Sequence, residues 1–426
     1  MEFYLQGCRR YAGGKMTSGN FYVRDGGVES VLSMDRAIPV FSGKGKILAE
    51  SFCDLHTHLR EPGFSDKETM KSGTMAAARG GFTTVCAMPN LNPVPDSAAS
   101  LSAELEIIRR SAVIEVIPFA AITRGEKGLE LSDIECLSKS CPAFSDDGKG
   151  VQGGELMREA MQRIDACGRF IAAHAEDESK LKPNGAVHDG VAAARYGLNG
   201  MPSASEYSQL ERDFALLRQT GCAYHVCHVS AKESLRLIKA AKNEGLRVTC
   251  EVTPHHLALS DSDITEDSGR FKMNPPLRGE EDRAAIISSI ADGTIDVIAT
   301  DHAPHTAEEK AKGLKDSIFG TVGSETAFAV CNTYLVKTGI LSYERLLTML
   351  CDRPRNILGQ KTVPGWVLLD TEKKWRVTPA DFVSLGRSTP FEGLELCGDV
   401  EMTVCDGEAV YISGGFLSEY KAKTAL

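Results

Sequence analysis

The chain has 426 residues, 42% apolar and 25% charged, with a formal charge of −10. Those proportions fit a soluble globular protein with a large core. The acidic balance excludes a broad nucleic-acid or anionic-membrane footprint, though it leaves room for a local cationic pocket.

The first ten residues, MEFYLQGCRR, lack a charged segment followed by an apolar run, so no secretory signal is expected. Nowhere does the chain approach the roughly 18 consecutive apolar residues of a membrane span. Thirteen cysteines, an odd number with no C-x-x-C pair, predict free buried thiols in a reducing cytoplasm rather than a disulfide or zinc-ribbon scaffold.

Residues 1–48 carry Gly13-Gly14, Asp25-Gly26-Gly27 and a GKGK stretch, which predict hairpins. From Ala49 onward short apolar runs alternate with helix-like stretches. The runs are SFCDL (51–55), FTTVCAM (82–88), VIEVIPFA (113–120), CPAF (141–144), RFIAAHA (169–175), AYHVCHV (223–229), RVTCEV (247–252) and IDVIAT (295–300). They lack polar alternation, as parallel strands covered on both faces do. Amphipathic segments at 96–110, 155–167, 203–219 and 231–244 separate some of them. The alternation predicts an α/β fold, a (β/α)8 TIM barrel over 49–355, although an open doubly wound sheet would also satisfy it. After Cys351 come WVLLD, DFVSL and VEMTV, three more strand-like pieces. Residues 1–48 and 356–426 are therefore expected to pair into one small β-domain beside the barrel.

Polar residues at the strand ends favour the closed barrel. The first strand closes with His56 and His58, which point to one face at i and i+2. The fourth runs into Asp146-Asp147, the fifth reaches His174, the sixth His228 and the eighth Asp301. In a parallel barrel all these ends open at one mouth. Zinc takes neutral imidazole and carboxylate, and four histidines with two carboxylates exceed the needs of one ion. Two ions sharing a bridging carboxylate would use all six.

DLHTHLREPG (54–63), GGFTTVCAMPN (80–90), FSDDG (144–148), HVCHVS (225–230), FKMNPPLR (271–278) and IATDHAPH (298–305) together resemble the amidohydrolase superfamily, specifically its bacterial class I dihydroorotases. The resemblance spans about residues 50 to 350 and extends loosely into the tail. It implies that His56, His58 and Asp301 bind one zinc, that His174 and His228 bind a second, and that Asp147 bridges them. Asp147 is preferred to Asp146 because it falls at the family's position. Many relatives bridge with a carbamylated lysine, but the nearest lysine here, Lys149, follows a turn glycine. The implied chemistry is reversible opening of a cyclic amide by metal-activated water, with Asp301 moving the proton.

Arg60 is expected on the strand face of His56 and His58, where its planar fork suits the ring carboxylate of dihydroorotate. In the family the residues matching Arg60, Asn90, Asn274 and His305 bind substrate, and Phe319-Gly320 contribute backbone. Read alone, Asn90 and Asn274 would be turn caps beside Pro89 and Pro275. Residues 306–320, punctuated by Gly313, are expected to form a mobile loop over the site.

Other polar residues read as structural. His255 and His256 end the seventh strand, where they could line the mouth, but structural hydrogen bonding is the favoured reading. His302 points away from Asp301, toward either a supporting contact behind the site or the core, and His188 and His225 carry no functional signal. Glu308, Glu309, Lys310 and Lys312 are expected to be a solvated surface. Beyond a small-molecule substrate, the expected partners are a second copy of the chain and aspartate carbamoyltransferase. The rival readings are a hydantoinase, dihydropyrimidinase or allantoinase, and an inactive scaffolding homologue. Arg60 weighs against the first group, whose substrates lack the ring carboxylate, and the complete ligand set weighs against the second.

Overall fold

A computed structural model of the chain describes residues 1–424. The eight apolar runs become the staves of one barrel. In order they are Phe52–Thr57, Phe82–Ala87, Glu115–Pro118 continued by Ala120–Ala121, Ala143–Ser145, Phe170–Ala173, Ala223–Val226, Val248–Val252 and Val297–Ile298. Each pairs in parallel with its neighbours in sequence. The ring closes where Thr57 bridges His302 and the His58 amide donates to the His302 carbonyl at 2.9 Å. That closure rules out an open sheet.

The crossovers follow from local chemistry. Thr69 and Ser97 cap the helices Met70–Arg79 and Ala98–Ser111, each accepting the amide of a serine three residues on. Helix Lys232–Asn243 buries Ser234, Leu235, Ile238 and Ala241, one stripe at helical spacing, against the barrel. Inside the ring, Cys53, Leu55, Cys86, Phe119, Phe170, Cys227 and Val297 fill an apolar layer contributed by most of the strands.

One irregularity prepares the mouth. The first strand pairs Asp54 with Val85 and Thr57 with Ala87, so it carries one residue more than its neighbour between those pairs. Such a bulge shifts the side-chain alternation by one. Cys53 and Leu55 pack in the apolar layer, while His56 and His58 reach the polar mouth above it.

The two ends of the chain share one antiparallel-rich sheet, as expected. Glu2–Ala12 and Lys15–Arg24 form a hairpin through Gly13-Gly14, whose φ values of +56° and +76° suit a turn matched to strand twist. Lys46–Glu50, which crosses residue 48, pairs with Gly365–Arg376 and so ties the two ends together. Glu395–Cys405 and Glu408–Ile412 complete that side of the sheet. DFVSL is not a strand. Its backbone amides at Val383 and Ser384 donate to the Glu325 carboxylate, and that of Leu385 to Glu68, so no ladder forms. The helix Gly414–Thr424, unforeseen from the sequence, lays Phe416 on Phe41 at 4.6 Å. All thirteen cysteines are free. Among the described residues no helix is long and apolar enough to cross a membrane.

Candidate metal centre and substrate cavity

Six side chains from five strand ends meet at the barrel mouth. His56 Nε2 lies 3.5 Å from Oδ1 of both Asp147 and Asp301. His58 Nε2 lies 3.1 Å from Asp301 Oδ1 and 3.5 Å from Asp147 Oδ2. His174 Nδ1 and His228 Nε2 are 2.9 Å apart, and each is 3.7 Å from Asp147 Oδ1. Asp147 thus faces all four histidines. Asp146 turns the other way and accepts the amides of Ile122 and Thr123 at 2.8 and 3.0 Å.

The donors fit a cation. His56 Nε2 and Asp147 Oδ1 are buried without a hydrogen-bond partner, which is costly unless something else meets them. Atoms that each lie about 2.0–2.2 Å from one ion stand about 3–4 Å from each other, the spacing seen here. His56, His58 and Asp147 form one such group, and Asp147, His174 and His228 another. Burial disfavours a charged His56 ring, yet Asp147, Glu251 and Asp301 outweigh it and draw the ring toward its protonated form. A buried excess of negative charge is what a bound cation would neutralise. Burial likewise opposes ionisation of Asp147 and Asp301, but the histidines, His56 foremost, hold both carboxyls well below the usual range.

The second nitrogen of three ligating-type rings is occupied. His56 Nδ1 meets Glu251 at 2.7 Å, and Glu251 also meets His225 Nε2 at 3.0 Å. His58 Nδ1 donates to Asn90 Oδ1 at 2.8 Å. His174 Nε2 faces Asn274 at 3.4 Å, and Asn274 donates to Glu176 at 3.0 Å. Such contacts fix the tautomer and aim the other nitrogen. Glu251, Glu176 and His225 were missed from the sequence. The signal for Glu251 was there: a carboxylate in a strand buried on both faces must have a partner. Cys227 lies near His56 and Glu251, but burial pushes its thiol far up, so it stays neutral.

His58, Asp147, His174 and Asp301 line a cavity of about 240 Å³ together with Arg60, Asn90, Asn274, His305, Phe319 and Gly320. His56 and His228 lie behind that surface. A larger cleft, about 530 Å³, lies beside the β-domain around Tyr11, Gly26 and Trp366, but it has no histidine. Arg60, His228 and Asp301 have φ of +62°, +33° and +46°. Three side-chain-bearing residues in the left-handed region at one mouth is strain concentrated where geometry matters.

Arg60 corrects one expectation. The first strand ends at Thr57, so Arg60 is not aimed by strand alternation. Its Nε donates to Pro304 O at 3.1 Å and its Nη2 meets His305 Nε2 at 3.2 Å. Burial lowers its pKa to about 10, which still leaves it charged at neutral pH. Among the described residues no carboxylate forms a salt bridge with it. His305 is kept neutral, its pKa lowered to about 3 by burial and by Arg60, Lys67 and Lys310.

Residues 306–320 carry local structure of their own. They form two short helical turns, Ala307–Lys310 and Gly313–Asp316, the first capped by Thr306. Glu308 and Lys312 are exposed as expected, but Glu309 pairs with Lys67 at 2.8 Å and Lys310 is buried, so the charge run is only partly solvated. Gly320 has φ +137°, and a Cβ there would come within 2.7 Å of Ala303 O and 2.9 Å of His305 Cδ2. Only glycine lets the backbone approach the cavity here. His255 and His256 lie in the short helix Pro254–Ala258. His256 bonds Thr253 and the Pro275 carbonyl, whereas His255 Nε2 has no partner. His302 sits in the core, where Nδ1 accepts the Gly323 amide at 3.2 Å.

Comparison with known proteins bears on the family and the fold. The family model described as dihydro-orotase-like matches residues 45–234. A dihydroorotase from Fusobacterium nucleatum subsp. nucleatum is 45% identical over 96% of this chain and 98% of its own length. One from Bacillus caldolyticus is 48% identical over 87% of this chain and 88% of its own. Among solved structures, the L-hydantoinase (dihydropyrimidinase) from Arthrobacter aurescens superposes with a TM-score of 0.83 at 24% identity, covering 97% of each chain. The dihydropyrimidinase from Brevibacillus agri NCHU1002 gives 0.82 at 19%, over 97% of this chain and 95% of its own. At those identities the solved structures speak for the barrel and its added β-domain alone.

Proposed function

Since the chain belongs to the dihydroorotase family, we propose that its cavity carries out the reversible cyclisation of N-carbamoyl-L-aspartate to L-dihydroorotate with two zinc ions bound. The family is one of metal-dependent cyclic amide hydrolases, and the proposal adds the metal's identity and count and the residue roles. His56, His58 and Asp301 would hold one ion, His174 and His228 the other, with Asp147 between them. Bound there, the ions supply an acidified water and a Lewis acid for the scissile carbonyl.

The chain's own residues do the rest. Asp301, ionised beside His58, accepts the proton of the attacking water and returns it to the departing amide nitrogen, which leaves poorly unless protonated. Glu251 and Asn90 hold His56 and His58 with their metal-facing nitrogens free. Asn274 donates its amide N–H to the acceptor-only Glu176 carboxylate, so its Oδ1 is left to accept an N–H from substrate. Neutral His305 braces Arg60.

One observation carries the substrate assignment: Arg60 is a buried guanidinium that, among the described residues, forms no salt bridge with a carboxylate, beside the ligand cluster. It provides for an anionic group on the substrate, which hydantoins and dihydropyrimidines lack. The cytoplasm is the proposed setting, and homodimerisation and docking with aspartate carbamoyltransferase extend the same reading. Ultraviolet absorbance should show wild-type protein consuming dihydroorotate while rejecting dihydrouracil, the ring without the carboxylate. A site built around a polar group can reject the analogue lacking it by about 10⁴-fold. Metal analysis of the same sample should find two zinc ions per chain. Comparable kcat/KM on both rings would replace this reading with the hydantoinase-like one.

A further inference from the structure

Lys310 is 8% exposed, among the most buried cations in the molecule. Its Nζ donates to three backbone carbonyls, those of Lys272 at 3.0 Å, Ile318 at 2.8 Å and Gly320 at 2.7 Å. Among the described residues no carboxylate forms a salt bridge with it. The acceptors come from two separate segments. Ile318 and Gly320 flank Phe319 on the cavity wall, while Lys272 precedes Asn274 by two residues. The Gly320 amide crosses the same seam to the Lys272 carbonyl at 3.0 Å.

We propose that Lys310 is a positioning residue whose protonated ammonium stitches the Phe319–Gly320 backbone to the Asn274 segment, making one wall of the substrate site. The proposal rests on the substrate reading above and adds what orders that wall. An ammonium offers three N–H donors for the three carbonyls, whereas a neutral amine offers two and turns a lone pair toward the third. The titratable groups facing Lys310 are few. Charged Glu309 and neutral His305 lie on its own segment and Lys272 on the neighbouring one. Burial foremost, with Lys272 adding to it and Glu309 opposing, brings the pKa of Lys310 down from the usual lysine range to about 7. The stitch is therefore complete in mildly acidic solution and loses a bond as pH rises through neutrality.

The test uses metal-loaded enzyme, dihydroorotate as probe, and wild-type protein beside Lys310→Met. The variant should keep its metal content and most of its kcat while KM rises on the order of ten- to a hundredfold, the scale of a misplaced binding wall. Wild-type KM should climb between about pH 6 and about pH 9, and the variant's should be flat over that span. Hydrogen exchange supplies a readout independent of turnover and of the variant's folding. In wild-type protein, protection of peptides spanning 306–320, corrected for intrinsic rates, should fall over the same pH span while that of helix 232–243 holds. An unchanged KM in a folded variant, or flat wild-type protection, overturns the proposal. Should wild-type protein fail to turn over dihydroorotate, the substrate reading falls, and the exchange measurement still decides whether Lys310 orders the wall.

Discussion

The ligand wall of the cavity grows from strand ends, and its side chains are backed by buried acceptors, Glu251 behind His56 and Asn90 behind His58. The facing wall, from Ala303 to Gly320, continues no barrel strand beyond the isolated bridge at His302. It is held by cations reaching backbone carbonyls: Arg60 to Pro304, Lys310 to Lys272, Ile318 and Gly320. One wall concentrates negative charge and suits a cation; the other presents the Arg60 guanidinium, which among the described residues forms no salt bridge with a carboxylate, and suits an anion. In the proposed reading the contrast separates chemistry from recognition. Metal ligands need placement within tenths of an ångström, which residues at or just beyond the ends of rigid barrel strands can give, whereas recognition needs a cationic surface.

Substitutions can break the contrast, beginning with the largest expected loss. Asp301→Asn, on the ligand wall, can neither accept nor return the proton. Loss of such a step costs about 10²–10⁴-fold in kcat, roughly 3–5 kcal/mol of barrier. Metal analysis of the variant separates lost proton transfer from lost ligation. Near-normal turnover with full metal would remove Asp301 from the mechanism.

Arg60→Ala, on the recognition wall, should leave metal content normal and lower kcat/KM for dihydroorotate by about 30- to several-thousand-fold, the worth of a truncated buried charge pair of roughly 2–5 kcal/mol. If the two walls are separate in function, this variant loses binding and Asp301→Asn loses turnover. Parallel losses of metal in both would erase the distinction.

Glu251→Gln is the mildest and the most discriminating of the three. The amide keeps the volume but loses the charge that holds His56 and His225, and backing groups of this kind are typically worth about 10–100-fold in metal affinity. Activity should return when excess zinc is added. A variant that stays inactive at full metal occupancy would place Glu251 in the chemistry itself.

The sequence was most legible where side-chain type and strand position coincide. His56, His58, His174, His228 and Asp301 each stand at the end of an apolar run, and in a barrel all such ends share one mouth. The C-terminal tail was less legible. DFVSL has the composition of a strand, but Glu325 and Glu68, distant in sequence, take its amides. Glu309 and Lys310 look like any exposed charged pair, since nothing local tells a lysine whose ammonium will be buried from one in water.

By itself, then, the order of residues determined the barrel, the pairing of the two chain ends into one sheet, and the gathering of metal-ligand types at the mouth. Each follows from period, composition and position along a strand. Tertiary structure alone decided that Asp147 faces the histidines while Asp146 anchors Thr123, that Glu251 backs His56, that Arg60 is aimed from a left-handed turn, and that Lys310 reaches the carbonyls of Lys272, Ile318 and Gly320. These depend on contacts between residues far apart in the chain, and on which groups lose their water when the chain closes.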